Sequence, residues 1–187
     1  MQPVWHSRGY LPHCDGLSPQ QFVTYRLADS LPAGVLERLV IDMPDDDQKS
    51  ERRARINTFL DAGYGSCLLR DPDCARIVED NLLHFDGDRY RLIAWVVMPN
   101  HVHALIEPLP DHCLADIAHS WKSYTATRIN RLLKRQGALW QREYWDRYIR
   151  DMPHLQNTIS YIHTNPVTAG LVGDTTAWMF SSARRMR

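Results

Sequence analysis

The sequence predicts an α+β fold, an antiparallel β-sheet packed with α-helices, and three observations carry that expectation. Segments 90–97 ("YRLIAWVV") and 101–108 ("HVHALIEP") are apolar, β-branched runs joined through Pro99-Asn100, as two adjacent strands would be. Segment 114–137 ("LADIAHSWKSYTATRINRLLKRQG") places Leu114, Ile117, Ala118, Trp121, Thr125, Ile129 and Leu132 on one side of a helix. The inferred element order, β-α-α-α-β-β-α-β-α, reduces without its extra early helices to β-α-β-β-α-β-α, an antiparallel sheet with helices on one side. At 187 residues the chain is long enough for one domain with a sizeable core, so a single unit spanning 1–187 is expected, with a helical insertion at about 33–84.

The elements follow in order. "QQFVTYRLA" (20–28) has strand composition. "SLPAGVLERLVI" (30–41) has Ser30 as a cap and Pro32 near the first turn of a helix, which the acidic "PDDDQKS" then breaks. A second helix is expected from about Glu51 to near Gly63, and a third is capped near Asp71, with Ala75, Val78, Leu82 and Phe85 as its stripe. Asp86-Gly87 turns the chain into the first of the paired strands, and Gly137 is expected to stop the long helix. "REYWDRYIRD" suggests a short strand. Asp151 and Pro153 start a last helix, about 153–165, ended by Pro166.

Composition narrows the class. Hydrophobic residues make up 44% and charged residues 24%, as in a globular protein, and no apolar run is long enough for a membrane span. The start, "MQPVWHSRGYLPHCDG", has no apolar signal segment, and Cys14, Cys67, Cys74 and Cys113 form no C-x-x-C pair. Free thiols in a reducing cytoplasm are therefore expected, rather than a disulfide scaffold or zinc knuckle. The 22 basic residues balance 22 acidic ones, but Lys122, Arg128, Arg131, Lys134, Arg135, Arg142, Arg147 and Arg150 face only Glu143 and Asp146 in their segment. Such a cluster is either a polyanion-binding face or a solvated helix surface.

The chemistry-bearing residues sit in the second paired strand and the last helix. Side chains two apart on a strand share a face, so His101 and His103 present two imidazoles side by side. They are either metal ligands or two buried histidines satisfied by neighbours. On the last helix Tyr161 and Asn165 are four apart, hence on nearly the same face. If that helix packs on the sheet, Asn165 adds an oxygen to the two imidazoles and Tyr161 a phenol beside them. Two imidazoles and an amide oxygen with open positions suit Mg²⁺ or Mn²⁺ better than a closed zinc site. A cation that polarises a phosphodiester, beside a phenol able to attack phosphorus, would give a covalent phosphotyrosine.

These residues carry a family resemblance. "MPNHVHALIEP", "LWQREYWDRYIRD" and "SYIHTNPVTAGLV", with "RGYLPHCDG" and "QQFVTYRLADSLP" nearer the start, resemble the REP-associated tyrosine transposases. These are relatives of the single-tyrosine, IS200-like transposases in the HUH endonuclease superfamily, and the resemblance covers nearly the whole chain. It implies a ferredoxin-like HUH fold, Tyr161 as nucleophile, and His101, His103 and Asn165 as ligands of Mg²⁺ or Mn²⁺, with no nucleotide cofactor. It also implies cleavage and rejoining of single-stranded DNA at repetitive extragenic palindromic hairpins, through a 5′-phosphotyrosine and a free 3′-hydroxyl. Lys122, Arg128, Arg131, Arg135, Arg142, Arg147 and Arg150 are the expected DNA contacts, and Trp121, Trp140, Tyr144 and Trp145 are divided between core and base stacking. A cytoplasmic, nucleoid-associated protein is expected, a monomer rather than a dimer, with no membrane partner. Some relatives carry a longer C-terminal extension than "WMFSSARRMR".

Two other classes are weighed. "HVHAL" also resembles the histidine-triad nucleotide hydrolases, but Leu105 stands where their pattern needs a third histidine. A domesticated module that grips hairpin DNA without cutting is the alternative function, although no site residue is missing.

Overall fold

The computed structural model describes residues 4–7, 12–15, 20–31, 34–35 and 49–185. The expected helix at 30–41 and the acidic segment after it lie mostly outside the described residues. Strands β1 (Val4–Ser7) and β2 (Pro12–Asp15) pair as an antiparallel hairpin that the sequence reading does not anticipate. Then follow β3 (Gln21–Arg26), α1 (Lys49–Asp61), α2 (Pro72–His84), β4 (Tyr90–Val97), β5 (His101–Pro108), α3 (Leu114–Leu132), β6 (Trp145–Tyr148) and α4 (Met152–Thr168).

Local chemistry sets these boundaries. The Asp71 carboxylate accepts from the Asp73 amide, Pro72 occupies the first turn, and α2 buries Ala75, Val78 and Leu82 completely. The helix α3 ends at Leu132, short of Gly137, because Lys134 already adopts the left-handed conformation at φ 49°. The Asp151 carboxylate caps α4 through the His154 amide at 2.7 Å. Contrary to the sequence reading, α4 runs through Pro166 to Thr168. A proline forfeits only its own N–H bond to the previous turn, and the Ala169 amide still closes on Asn165 O and the Leu171 amide on Pro166 O, both at 2.9 Å. Gly170, at φ 69°, follows directly after the helix's capping residue, Ala169.

The main sheet has the order β4-β5-β3-β6 with every neighbouring pair antiparallel. Strands β3 and β4 thus run the same way with β5 between them, the β-α-β-β-α-β arrangement of a ferredoxin-like fold. The expectation of helices on one side needs correcting, since both faces are covered. On one, Val23, Tyr25, Trp95, Val97, Val102, Ala104 and Ile106 pack with the apolar stripes of α2 and α3. On the other, Phe22, Ala94, Val96 and Leu105 pack with Ile162 of α4, flanked by Leu155, Ile159 and Tyr161. Strict alternation along β5 therefore sends His101 and His103 to the α4 face.

Candidate active site

Strand register places the first contacts. Thr24 of β3 is the direct antiparallel partner of His103, and its Oγ1 lies 2.8 Å from His103 Nδ1. Asn100, in the turn before β5, holds the other ring: His101 Nδ1 lies 2.8 Å from Asn100 Oδ1. The amide of Asn100 cannot turn round, because its Nδ2 donates to the carbonyls of Leu60 at 3.1 Å and Tyr64 at 3.0 Å. His101 Nδ1 must therefore carry the proton, which leaves Nε2 as a bare lone pair. The same bonds tie the C-terminal end of α1 to the strand that carries the histidines.

The two Nε2 atoms converge to 3.1 Å. Both histidines are 1% exposed, and burial holds them neutral: it lowers His101 to about 3 and His103 well below its ordinary value, with His101 adding to the effect. The Thr24 hydroxyl either donates or accepts, so His103 is free to place its proton on Nε2 towards His101 or on Nδ1 towards Thr24. In the second tautomer two bare lone pairs point into one small space.

Tyr161 and Asn165 reach this space from α4. Tyr161 Oη is 3.4 Å from His103 Nε2 and accepts from Asn57 Nδ2 at 2.9 Å. Its ring meets Phe22 edge-on, with centroids 5.9 Å apart, which braces the plane of the ring. Burial raises the Tyr161 pKa and the Asp61 charge raises it further, while the Arg147 guanidinium pulls the other way. Asn165 is 1% exposed and stands beside both His101 and Asp61, yet neither its Oδ1 nor its Nδ2 makes a hydrogen bond of good geometry. The Oδ1 of Asp61 is also buried without a partner.

Orphaned buried polar atoms are costly and need an explanation. Two neutral imidazole nitrogens and an unpartnered amide oxygen form a donor set that fits a divalent cation of the magnesium or manganese type. Among the described residues no group of three His, Cys, Asp or Glu side chains is placed to hold a metal, and the oxygen beside the two imidazoles is that of the Asn165 amide.

The structure divides the expected basic residues. Arg147 pairs with Phe22 across β3–β6, with its guanidinium carbon 6.0 Å from that ring and its charge felt at Tyr161; exposed Arg150 acts electrostatically on Arg147. Lys122, Arg128 and Arg131 ride on α3, on the other face of the sheet. Lys122 Nζ donates to the Arg142 carbonyl, and burial lowers its pKa to about 8; Arg128 leans over Tyr124, and Arg135 bonds the Ala138 carbonyl. Arg142 is exposed ahead of β6. Trp121 and Trp140, 0% and 6% exposed, are core and offer no stacking surface; Tyr144 and Trp145 are half-buried against the two core clusters.

Sequence reasoning missed Thr24, Asn57, Asp61 and Asn100. It also missed Arg26, the cross-strand partner of His101, whose Nη1 donates to Ser30 Oγ and which burial lowers only to about 10, so that it stays charged. Only Asn100 had a local signal, its place beside His101.

Residues 78–165 match the family model described as "Transposase IS200 like". That span holds both histidines, Tyr161 and Asn165. The chain is 32% identical over 107 residues to a Haemophilus influenzae protein assigned as a REP-associated tyrosine transposase, covering 51% of this chain and 60% of that protein. It is 29% identical over 103 residues to the REP-associated tyrosine transposase of Escherichia coli K12, covering 51% of this chain and 56% of the relative. The aligned region thus spans less than two thirds of either relative. Among solved structures, a REP-associated tyrosine transposase bound to a REP hairpin superposes with a TM-score of 0.56 and 18% identity over 90% of this chain and 78% of that one. At that identity the likeness is one of fold, and it is the HUH fold. Among the described residues no helix is long and apolar enough to cross a membrane.

Proposed function

We propose that this protein, whose residues 78–165 match the IS200-like transposase family model, cuts and rejoins single-stranded DNA at repetitive extragenic palindromic hairpins, with Tyr161 as nucleophile. The observation that carries this reading is the meeting of Tyr161 Oη with the paired imidazoles: His103 Nε2 lies 3.4 Å from Oη and 3.1 Å from His101 Nε2. A nucleophile that ends covalently bound to phosphate must stand beside whatever neutralises that phosphate, and this arrangement does so.

His101, His103 and Asn165 would hold Mg²⁺ or Mn²⁺, which would supply Lewis-acid polarisation of the phosphodiester and favour the phenolate. The chain's own residues do the rest. Phe22 and Asn57 aim Oη, and Arg147 opposes the burial that keeps the phenol protonated. Oη bonds to phosphorus as the bond from phosphorus to the 3′ oxygen breaks. The phenol proton passes to solvent and the departing oxygen takes one up as a 3′-hydroxyl. The 5′-phosphotyrosine retains the bond energy, so attack by another 3′-hydroxyl reverses the step and frees Tyr161. Arg26, Arg147 and Arg150 supply positive charge near the path of the strand.

The test is covalent capture. Labelled hairpin DNA from host palindromes, incubated with the protein and Mn²⁺, should yield an adduct that survives SDS. Tyr161→Phe should bind the hairpin as the wild type does and form no adduct. Tight binding with no adduct from the wild type across the host's palindromes would replace this reading with the hairpin-binding alternative.

A further inference from the structure

The described part of helix α1 lies wholly outside the span that matches the transposase family, yet it supplies two of the polar groups nearest the nucleophile and the amide. Asn57 and Asp61 are four residues apart on α1, as Tyr161 and Asn165 are on α4. The two pairs meet in the same order: Asn57 Nδ2 donates to Tyr161 Oη at 2.9 Å, and the Asp61 carboxyl stands beside the Asn165 amide. The helix is not free to drift there, because buried Asn100 bonds the Leu60 and Tyr64 carbonyls at its end while holding His101 with its other atom.

We propose that Asn57 and Asp61 are a positioning pair, with Asn57 fixing the direction of the Tyr161 phenol and Asp61 fixing the orientation of the Asn165 amide. A carboxylate only accepts hydrogen bonds, so the amide edge that faces Asp61 must be Nδ2. Oδ1 is then turned to the side where His101 stands, which is the orientation an amide needs to coordinate a cation. Oδ1 and Nδ2 of this 1%-exposed side chain are both unpartnered, as is buried Asp61 Oδ1 beside them; a bond from Nδ2 to Asp61 satisfies two of the three atoms and leaves Oδ1 for the cation. Neither residue takes a bond to substrate in this account. Both act through a residue that does.

The inference rests on the metal reading given above, and its test separates the two. Manganese affinity is measured by electron paramagnetic resonance of free Mn²⁺ on the full chain without DNA, with circular dichroism reporting the fold. Asp61→Ala removes the acceptor and should weaken Mn²⁺ binding by about 10- to 100-fold, the usual cost of losing a group that orients a ligand. Asp61→Asn keeps an oxygen that accepts from Asn165 and should recover most of that loss. Asn57→Ala should leave Mn²⁺ affinity at the wild-type value while slowing adduct formation by about 10-fold or more, since it loosens only the phenol. Asp61→Ala with unchanged affinity, or Asp61→Asn as weak as Asp61→Ala, overturns the positioning role while the metal reading stands. A wild type that binds no Mn²⁺ overturns both.

Discussion

The two faces of the central sheet are built from the same strands and obey opposite rules. On the face under α2 and α3, large side chains fill the space and their polar tips are almost all bonded: Trp121 Nε1 donates to Tyr90 Oη, Tyr90 Oη to the Leu82 carbonyl, and Trp140 Nε1 to Thr125 Oγ1. Among the described residues the unpartnered atoms on this side, Tyr25 Oη, Gln21 Oε1, Asn81 Oδ1 and Asn130 Oδ1, are scattered singly rather than gathered at one point. On the face under α4, a smaller apolar cluster surrounds His101, His103, Asn165 and Asp61, and three of the polar atoms in that group have no partner. One face holds the fold together. The other keeps polar groups under-satisfied, at a cost in stability, in an arrangement suited to a ligand that is charged.

The largest effect should separate the faces by stability. Trp121→Ala opens a cavity in the satisfied face and leaves Tyr90 Oη without its donor, so unfolding free energy should fall by about 3–5 kcal/mol in a urea titration. Asn165→Leu is its counterpart: it removes two orphaned atoms but leaves the Asp61 carboxyl beside an apolar side chain, so its cost should be well below that of Trp121→Ala while adduct formation is lost. An Asn165→Leu as destabilised as Trp121→Ala would show that the amide is satisfied after all and erase the contrast.

What the sequence made legible follows the same division. Both histidines and the Tyr161–Asn165 pair were readable because each is a local spacing, two along a strand and four along a helix, and the paired strands and long helix were readable by period. The faces were not. Period two says that His101 and His103 share a side of β5 but not which side, and only the packing of Ile162 against Leu105 and Val96 decides that α4 covers them. Thr24 meets His103 through a register 79 residues distant, and Asn57 meets Tyr161 across 104. No spacing encodes such contacts. The overrun of α4 past Pro166 was missed for a smaller reason: a proline blocks one bond, and the next turn can close without it.

An intermediate effect concerns pH. Folded His101 is lowered to about 3 against an unfolded value of about 6.5, and His103 is lowered too, so between these limits the unfolded chain binds more protons than the folded one. Stability should therefore be fully present above about pH 6.5 and fall as acid is added through that window. The double variant His101→Gln, His103→Gln should show a flatter acid limb in thermal melts recorded from pH 7 to 4. Equal slopes in variant and wild type would mean that the imidazoles are not the groups held neutral by burial.

The smallest effect tests whether positive charge follows the same divide. Each phosphate contact to single-stranded DNA contributes about 0.7 to the slope of log affinity against log salt. Arg147 lies on the α4 side, close enough for its charge to act on Tyr161, whereas Arg128 rides on α3 across the sheet and leans on Tyr124. Arg147→Gln should reduce the slope for hairpin DNA by somewhat less than one, and Arg128→Gln should leave it unchanged. If Arg128→Gln flattens the slope as much, the bound strand wraps onto the α3 face as well, and the division between a structural face and a working face holds for the chemistry but not for DNA binding.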